Sequence, residues 1–185
     1  MNYYNEINVA YEKRNERTDR NERRPRRENR FDKRERTTKR QISAGFIVRS
    51  KDGKFLIGKT TKYPKKQCWT IFKGQQEEGE SLIETAVREL REEAGIDILR
   101  NETLQKSQST SPFFTFPMKD KDVVLYLLND DQGVLDDATL KCSSNWGAER
   151  TPEICDYKWA SLEEMSELIF PSQRGLVEYL KERKF

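Results

Sequence analysis

The sequence predicts an α/β domain over residues 41–185, led by a basic, disordered arm over residues 1–40. Three observations carry that prediction. The first is a break in charge. Residues 1–40 hold 14 Lys or Arg against 8 Asp or Glu, a net of +6, whereas residues 41–185 hold 21 against 24, a net of −3. The second is the apolar content of the arm. From Glu12 to Arg40 the only large apolar side chain is Phe31, too little to offset the entropy of ordering the segment. The third is the pattern after the break. Short β-branched apolar runs alternate with segments of helical spacing, over a length that can close a full core.

The elements follow in order. Ile42 to Val48 is short, apolar and β-branched, and reads as a buried strand. Asp52-Gly53 is a turn signal, and Lys54 to Gly58 is the return strand. A lysine-rich loop, Lys59 to Gln67, leads to a short strand over Trp69 to Phe72. Ser81 to Ala94 is the clearest helix: Ile83, Ala86, Val87, Leu90 and Ala94 fall on one face, and Gly95 sits where a C-terminal cap belongs. Ile96 to Leu99 and Leu104 to Ser107 read as strand. Phe113 to Phe116 and Val123 to Leu128 form a further strand pair, and Asn129 to Ala148 is a polar loop. Asp156 to Ala160 is the last strand. Ser161-x-x-Glu164 is a capping box that opens a helix, and Pro171 starts another with Leu176, Val177 and Leu180 on its buried side.

Composition removes several classes of function. The chain has no histidine, which excludes Ser-His-Asp triads, Cys-His proteases, His-ligated zinc and histidine general bases. The longest apolar run, Val123 to Leu128, is far short of a membrane span, so no membrane partner is expected. The first residues lack an apolar signal core. Cys68, Cys142 and Cys155 are odd in number and show no CxxC spacing. They read as reduced thiols of a cytoplasmic protein, in the host cytoplasm if the source is viral.

The chemistry concentrates between Gly74 and Ile96. Glu89 and Glu93 are i, i+4, and Glu89 and Glu92 are i, i+3, so the three carboxylates share a helix face, expected opposite Ile83, Val87 and Leu90. Like charges at this spacing destabilise an isolated helix. A cation would compensate, and a carboxylate set without His or Cys favours a hard ion, Mg²⁺ or Mn²⁺. Arg88 lies four residues before Glu92 and can orient it.

Gly74, Glu80, Arg88, Glu89, Leu90, Glu92, Glu93, Gly95 and Ile96 stand at the spacings of a Gly, five residues, Glu, seven residues, Arg-Glu, an aliphatic, any residue, Glu-Glu, any residue, Gly and an aliphatic. This stretch resembles the signature of the Nudix (MutT-like) hydrolases without a departure. The resemblance extends over about residues 41–183. It implies an α/β/α sandwich around a mixed sheet, and metal-dependent hydrolysis of a nucleoside diphosphate linked to another group. By position, Glu89, Glu92 and Glu93 correspond to metal ligands, the Gly74 carbonyl to a further one, Glu80 to an outer carboxylate and Arg88 to the orienting arginine.

Three features bear on the substrate. Trp69-x-x-Phe72-Lys73-Gly74 is similar to the W-x-x-P-K-G stretch of diadenosine tetraphosphate hydrolases and RNA-decapping Nudix enzymes, with Phe72 in place of the proline. Lys73 is then a phosphate-binding candidate, and Phe72 and Tyr126 complete the substrate-binding set. Glu153, six residues before Trp159, is similar to a downstream carboxylate of the same branch that serves as metal ligand or base. The arm has two readings. Arg23-Arg24-Pro25-Arg26-Arg27 and Lys33-Arg34-x-Arg36, with Tyr3, Tyr4, Tyr11 and Phe31, suit RNA; the interspersed acids suit a solvating tail. Lys59, Lys62, Lys65 and Lys66 form a second basic rim. The expected substrate is a dinucleoside polyphosphate such as diadenosine tetraphosphate. The alternatives are the 5′ end of RNA, for a pyrophosphohydrolase or decapping enzyme, and a catalytically silent module that binds nucleotide or RNA.

Overall fold

The computed structural model describes residues 40–62, 68–118 and 121–185. The expected arm therefore lies outside the described residues up to residue 39, as do Lys65 and Lys66 of the basic rim.

Strand β1 (Gln41–Ser50) runs through the middle of the domain. It is buried on both faces, which is why its sequence is nearly continuously apolar rather than alternating. Strand β2 (Phe55–Thr60) returns antiparallel after the Asp52-Gly53 turn, where Gly53 has a positive φ of 74°. Strands β3 (Trp69–Thr70) and β4 (Phe72–Gln75) replace the single strand expected there. The break at Ile71 lets β3 pair with β2 and β4 pair with β1. Strand β5 (Phe114–Pro117) pairs antiparallel with β6 (Lys121–Asp130), and β6 lies parallel to β1 from Gln41↔Lys121 to Ser50↔Asp130. Strand β9 (Ile154–Ala160) closes against β2. The result is a mixed seven-stranded sheet.

Alternate residues of these strands feed two cores. Phe46, Val48, Leu56, Phe72, Val124 and Leu128 pack with Ala86, Leu90 and Ala94 of helix α1 (Leu82–Ala94). Ile47, Phe55, Ile57, Val123 and Leu125 pack with Met165 of helix α3 (Leu162–Leu168) and with Leu176, Val177 and Leu180 of helix α4 (Arg174–Glu182). Helices thus lie on both faces of the sheet, the expected α/β/α sandwich. The Ser161 capping box is formed, and Pro171 opens a 3₁₀ turn (Pro171–Gln173) before α4.

The strands expected at Ile96 to Leu99 and Leu104 to Ser107 are absent. Ile98–Arg100 is a 3₁₀ turn and Glu102–Ser107 is helix α2. Local side chains decide this. The Asp97 carboxylate accepts from Leu99 N (3.1 Å), and the Asn101 side chain accepts from Leu104 N (3.1 Å). Each cap starts a turn that satisfies the backbone without a partner strand. Ile98 and Leu104 are buried against α1's core while Leu99 points to solvent. An unexpected hairpin, β7 (Asn145–Trp146) with β8 (Thr151–Pro152), starts inside the expected polar loop and ends beyond it.

Candidate active site

Helix α1 positions most of the site. Ser81 and Glu84 form a capping box at its start, and Gly95, at φ 75°, ends it in the left-handed conformation with its N–H on Arg91 O. The carboxylates do not face away from the core as expected. Thr85, Ala86, Glu89, Leu90, Glu93 and Ala94 make up the buried stripe, so Glu89 and Glu93 point at β4, and Glu92 alone of the three is half-exposed. Gly74 makes the room: a Cβ there would overlap the Glu89 carboxylate, 2.0 Å from Oε1. Glycine is needed for contact rather than for backbone freedom.

Arg88 organises the cluster. Its Nε and Nη2 donate to the two oxygens of Glu80 (2.7 and 3.0 Å), Nη2 also reaches Gln75 O (2.9 Å), and Nη1 donates to Glu89 (2.6 Å) and Glu92 (3.2 Å). Glu80 also accepts from Thr85 Oγ1 and Glu77 N. The Arg88 hydrogen bonds dominate in holding its carboxyl down at about 2. Glu80 is thereby a fixed anion that aims a guanidinium.

The inner carboxylates behave oppositely. Glu93 accepts from Lys73 N (2.8 Å), yet burial pushes it up to about 8, with Glu89 and Glu153 adding and Lys73 opposing. Burial also raises Glu89, against the pull of Arg88. Glu153, between β8 and β9, is raised by burial and then by Glu92. The structure thus brings Glu153 to the α1 carboxylates, from 60 positions away in sequence.

Lysines border the same cluster. The Lys73 charge acts on Glu93 and Glu153, and Lys62 acts on Glu153. Lys121, which the sequence reading did not single out, belongs here too. It is lowered by burial and by Lys73, and raised by Glu89 and Glu93. Strand register puts Lys121 beside Gln41 and Lys73 beside Gly45, on the face of the sheet that carries Ile47 and Val123 and lies opposite α1, so what ties them to the carboxylates is their charge and the Lys73 N–H. In sequence Lys121 is one member of the charged run Lys119 to Asp122, with nothing local to mark it out.

Phe72 and Tyr126 are corrections. Phe72 is fully buried, its ring 6.2 Å from that of Tyr157, and Tyr126 is 95% enclosed with its ring 5.9 Å from that of Phe46. Both point into the core beneath α1. Replacing the expected proline by Phe72 fills that core instead of offering a ring to substrate.

The donor set suits a hard divalent cation. It consists of carboxylates in a chain without histidine, two of them buried, with Glu93 raised first by burial and also by Glu89, and Glu89 raised first by burial and also by Glu92 and Glu153. A cation would reverse those shifts. Among the described residues no three such side chains already converge on one point; the Arg88 guanidinium stands between Glu89 and Glu92.

A family model described as NUDIX domain matches residues 39–180. The chain belongs to the NUDIX family. Solved NUDIX structures resemble it in fold. A Caenorhabditis elegans Ap4A hydrolase in a binary complex is 21% identical, with a TM-score of 0.54, over 77% of this chain and 97% of that one. A MutT protein, from work on Aliivibrio salmonicida and Vibrio cholerae, is 20% identical, with a TM-score of 0.55, over 78% and 99%. A Francisella tularensis NMN adenylyltransferase/ADP ribose pyrophosphatase with AMP and a Mn ion is 20% identical, with a TM-score of 0.52, over 77% of this chain and 42% of that one. No curated protein matches the sequence at a significant level. As a NUDIX member the protein is a pyrophosphohydrolase by class, in a family whose hydrolases generally use divalent metals.

Proposed function

We propose that the protein hydrolyses a pyrophosphate bond in a dinucleoside polyphosphate such as diadenosine tetraphosphate, with Mg²⁺, or Mn²⁺ in its place. The carrying observation is the cluster of Glu89, Glu92, Glu93 and Glu153 bordered by Lys73 and Lys121. Those four carboxylates, with the Gly74 carbonyl, are the residues that would hold the metal. When bound, the ion neutralises crowded phosphate oxygens and lowers the pKa of water. Glu80 holds Arg88, and Arg88 holds Glu89 and Glu92 in orientation. Lys73 and Lys121 supply positive charge to a polyphosphate. With no histidine, a carboxylate takes the proton of the attacking water. Glu153 is the candidate for that role, being the one of the four carboxylates that lies off α1, with its N–H tied through Ser144 to the Glu92 carbonyl. The likeness in fold to an Ap4A hydrolase supports the choice of substrate.

The net charge of +6 on residues 1–40 favours a second reading, action on the 5′ end of RNA. One product assay separates them: the full chain with Mg²⁺ against diadenosine tetraphosphate, ADP-ribose, NADH, 8-oxo-dGTP, triphosphorylated RNA and capped RNA. The proposal expects the highest kcat/KM on diadenosine tetraphosphate. A hundred-fold preference for triphosphorylated or capped RNA would replace it with the second reading, and no hydrolysis of any would overturn both.

A further inference from the structure

Trp146 is one of two large apolar side chains left exposed among the described residues, at 42%. Exposure of a single aromatic is ordinary; its mounting is not. The β7–β8 hairpin that carries it is fastened at its base to two parts of the candidate active site. Ser143 N and Ser144 N donate to Glu92 O (2.7 and 3.2 Å), so the chain entering β7 is tied to the α1 residue whose carboxylate joins the site. On the other side, Glu153 N donates to Ser144 O (3.1 Å), Thr61 N donates to Glu153 O (3.0 Å), and the Thr61 hydroxyl donates to Pro152 O. The indole is thereby held at a fixed backbone relation to both Glu92 and Glu153.

Beside it lies a depression of about 240 Å³ lined by Thr61, Lys62, Trp146 and Thr151. That is below the 300–1,000 Å³ range of pockets that enclose a whole drug-sized ligand, and suits one planar ring system. Lys62 Nζ stands 4.4 Å from the indole centroid, and the same ammonium acts on the Glu153 carboxylate. Lys62 thus contacts the indole and is coupled by charge to Glu153, one of the candidate carboxylates.

We propose that the depression is a nucleobase subsite, in which the Trp146 indole stacks on a base of the substrate and Lys62 meets the phosphate chain leading from that base to the carboxylates. This rests on the reading of the protein as a nucleotide pyrophosphohydrolase, and it names what holds the nucleoside end. Stacking accepts any base, because every base presents a π-face. On the rim, the Thr151 hydroxyl can donate or accept and the Thr61 oxygen, whose proton is on Pro152 O, can accept; these are the groups able to discriminate among base edges. On binding, the base takes the indole face and the Lys62 ammonium exchanges its ring contact for phosphate oxygens.

The test uses the full chain and two readouts. In metal-free buffer, AMP should quench tryptophan emission of the wild type, ribose 5-phosphate should not, and the quench should vanish in Trp146→Phe, which leaves Trp69 and Trp159 in place. With Mg²⁺ and diadenosine tetraphosphate, Trp146→Ala should raise KM roughly ten-fold while changing kcat far less, and Trp146→Phe should fall between it and the wild type. Unchanged KM in Trp146→Ala, or equal quenching by ribose 5-phosphate, would overturn the subsite while leaving the hydrolase reading intact. A wild type that hydrolyses no nucleotide yet shows the Trp146-dependent quench by AMP would overturn the hydrolase reading and retain the subsite.

Discussion

At the scale of single residues, Glu93 carries the sharpest physical consequence. Its folded-state carboxyl titrates near 8, because burial outweighs the Lys73 amide and charge. The unfolded chain loses that proton near the ordinary glutamate value of about 4.3. Between those values the native state holds a proton that the unfolded state has released, so stability falls as pH rises through the window. Metal-free protein should therefore melt at a lower temperature at pH 8.5 than at pH 6, and Mg²⁺ should recover most of the loss. Glu93→Gln should flatten the pH dependence of Tm in metal-free buffer; an unchanged slope would show that the buried charge lies elsewhere. Gly74→Ala tests the same packing from β4. Its new Cβ would collide with the Glu89 carboxylate, so turnover should fall at least ten-fold, with circular dichroism still reporting a folded domain. None of this is visible in the spacing of residues 74–96. The signature positions could be read because they are local, but the inward turn of Glu89 and Glu93 depends on how closely β4 approaches. Phe72 and Tyr126 were misassigned for the related reason that an aromatic near a site motif looks the same in sequence whether it faces ligand or core.

Among the elements, the bounds of α1 were legible because their signals are local: apolar residues at helical spacing and a glycine at the end. Ser81→Ala removes the Oγ that caps Glu84 N and pairs with the Glu84 carboxylate. It should cost about 1 kcal/mol, read as a drop in Tm without a change in KM. The segment from Ile96 to Ser107 failed because β-branched and leucine-rich residues favour strand only where an edge is available to pair. Here the Asp97 and Asn101 caps close turns first. Lys121 escaped notice because the parallel pairing of β6 with β1, 80 positions apart, is what carries it to the carboxylates.

For the whole molecule, the charge division is the main lever. The domain from residue 41 onward is net −3 and the arm before it net +6. If the arm recruits RNA, deleting residues 1–39 should flatten the slope of log affinity against log salt and lower kcat/KM on RNA, with no effect on diadenosine tetraphosphate. Equal salt slopes for the two proteins would remove the RNA role. The central claim is that the carboxylates on α1, Glu89, Glu92 and Glu93, make this chain a metal-dependent pyrophosphohydrolase. Its most direct test is the rate of product formation from diadenosine tetraphosphate against Mg²⁺ concentration, for wild type and Glu92→Gln. The account predicts saturable dependence on Mg²⁺ in the wild type, and in the variant a rate lower by on the order of a hundred-fold or more with saturation shifted to higher metal. Turnover without divalent metal, or a near-wild-type rate in Glu92→Gln, would contradict it.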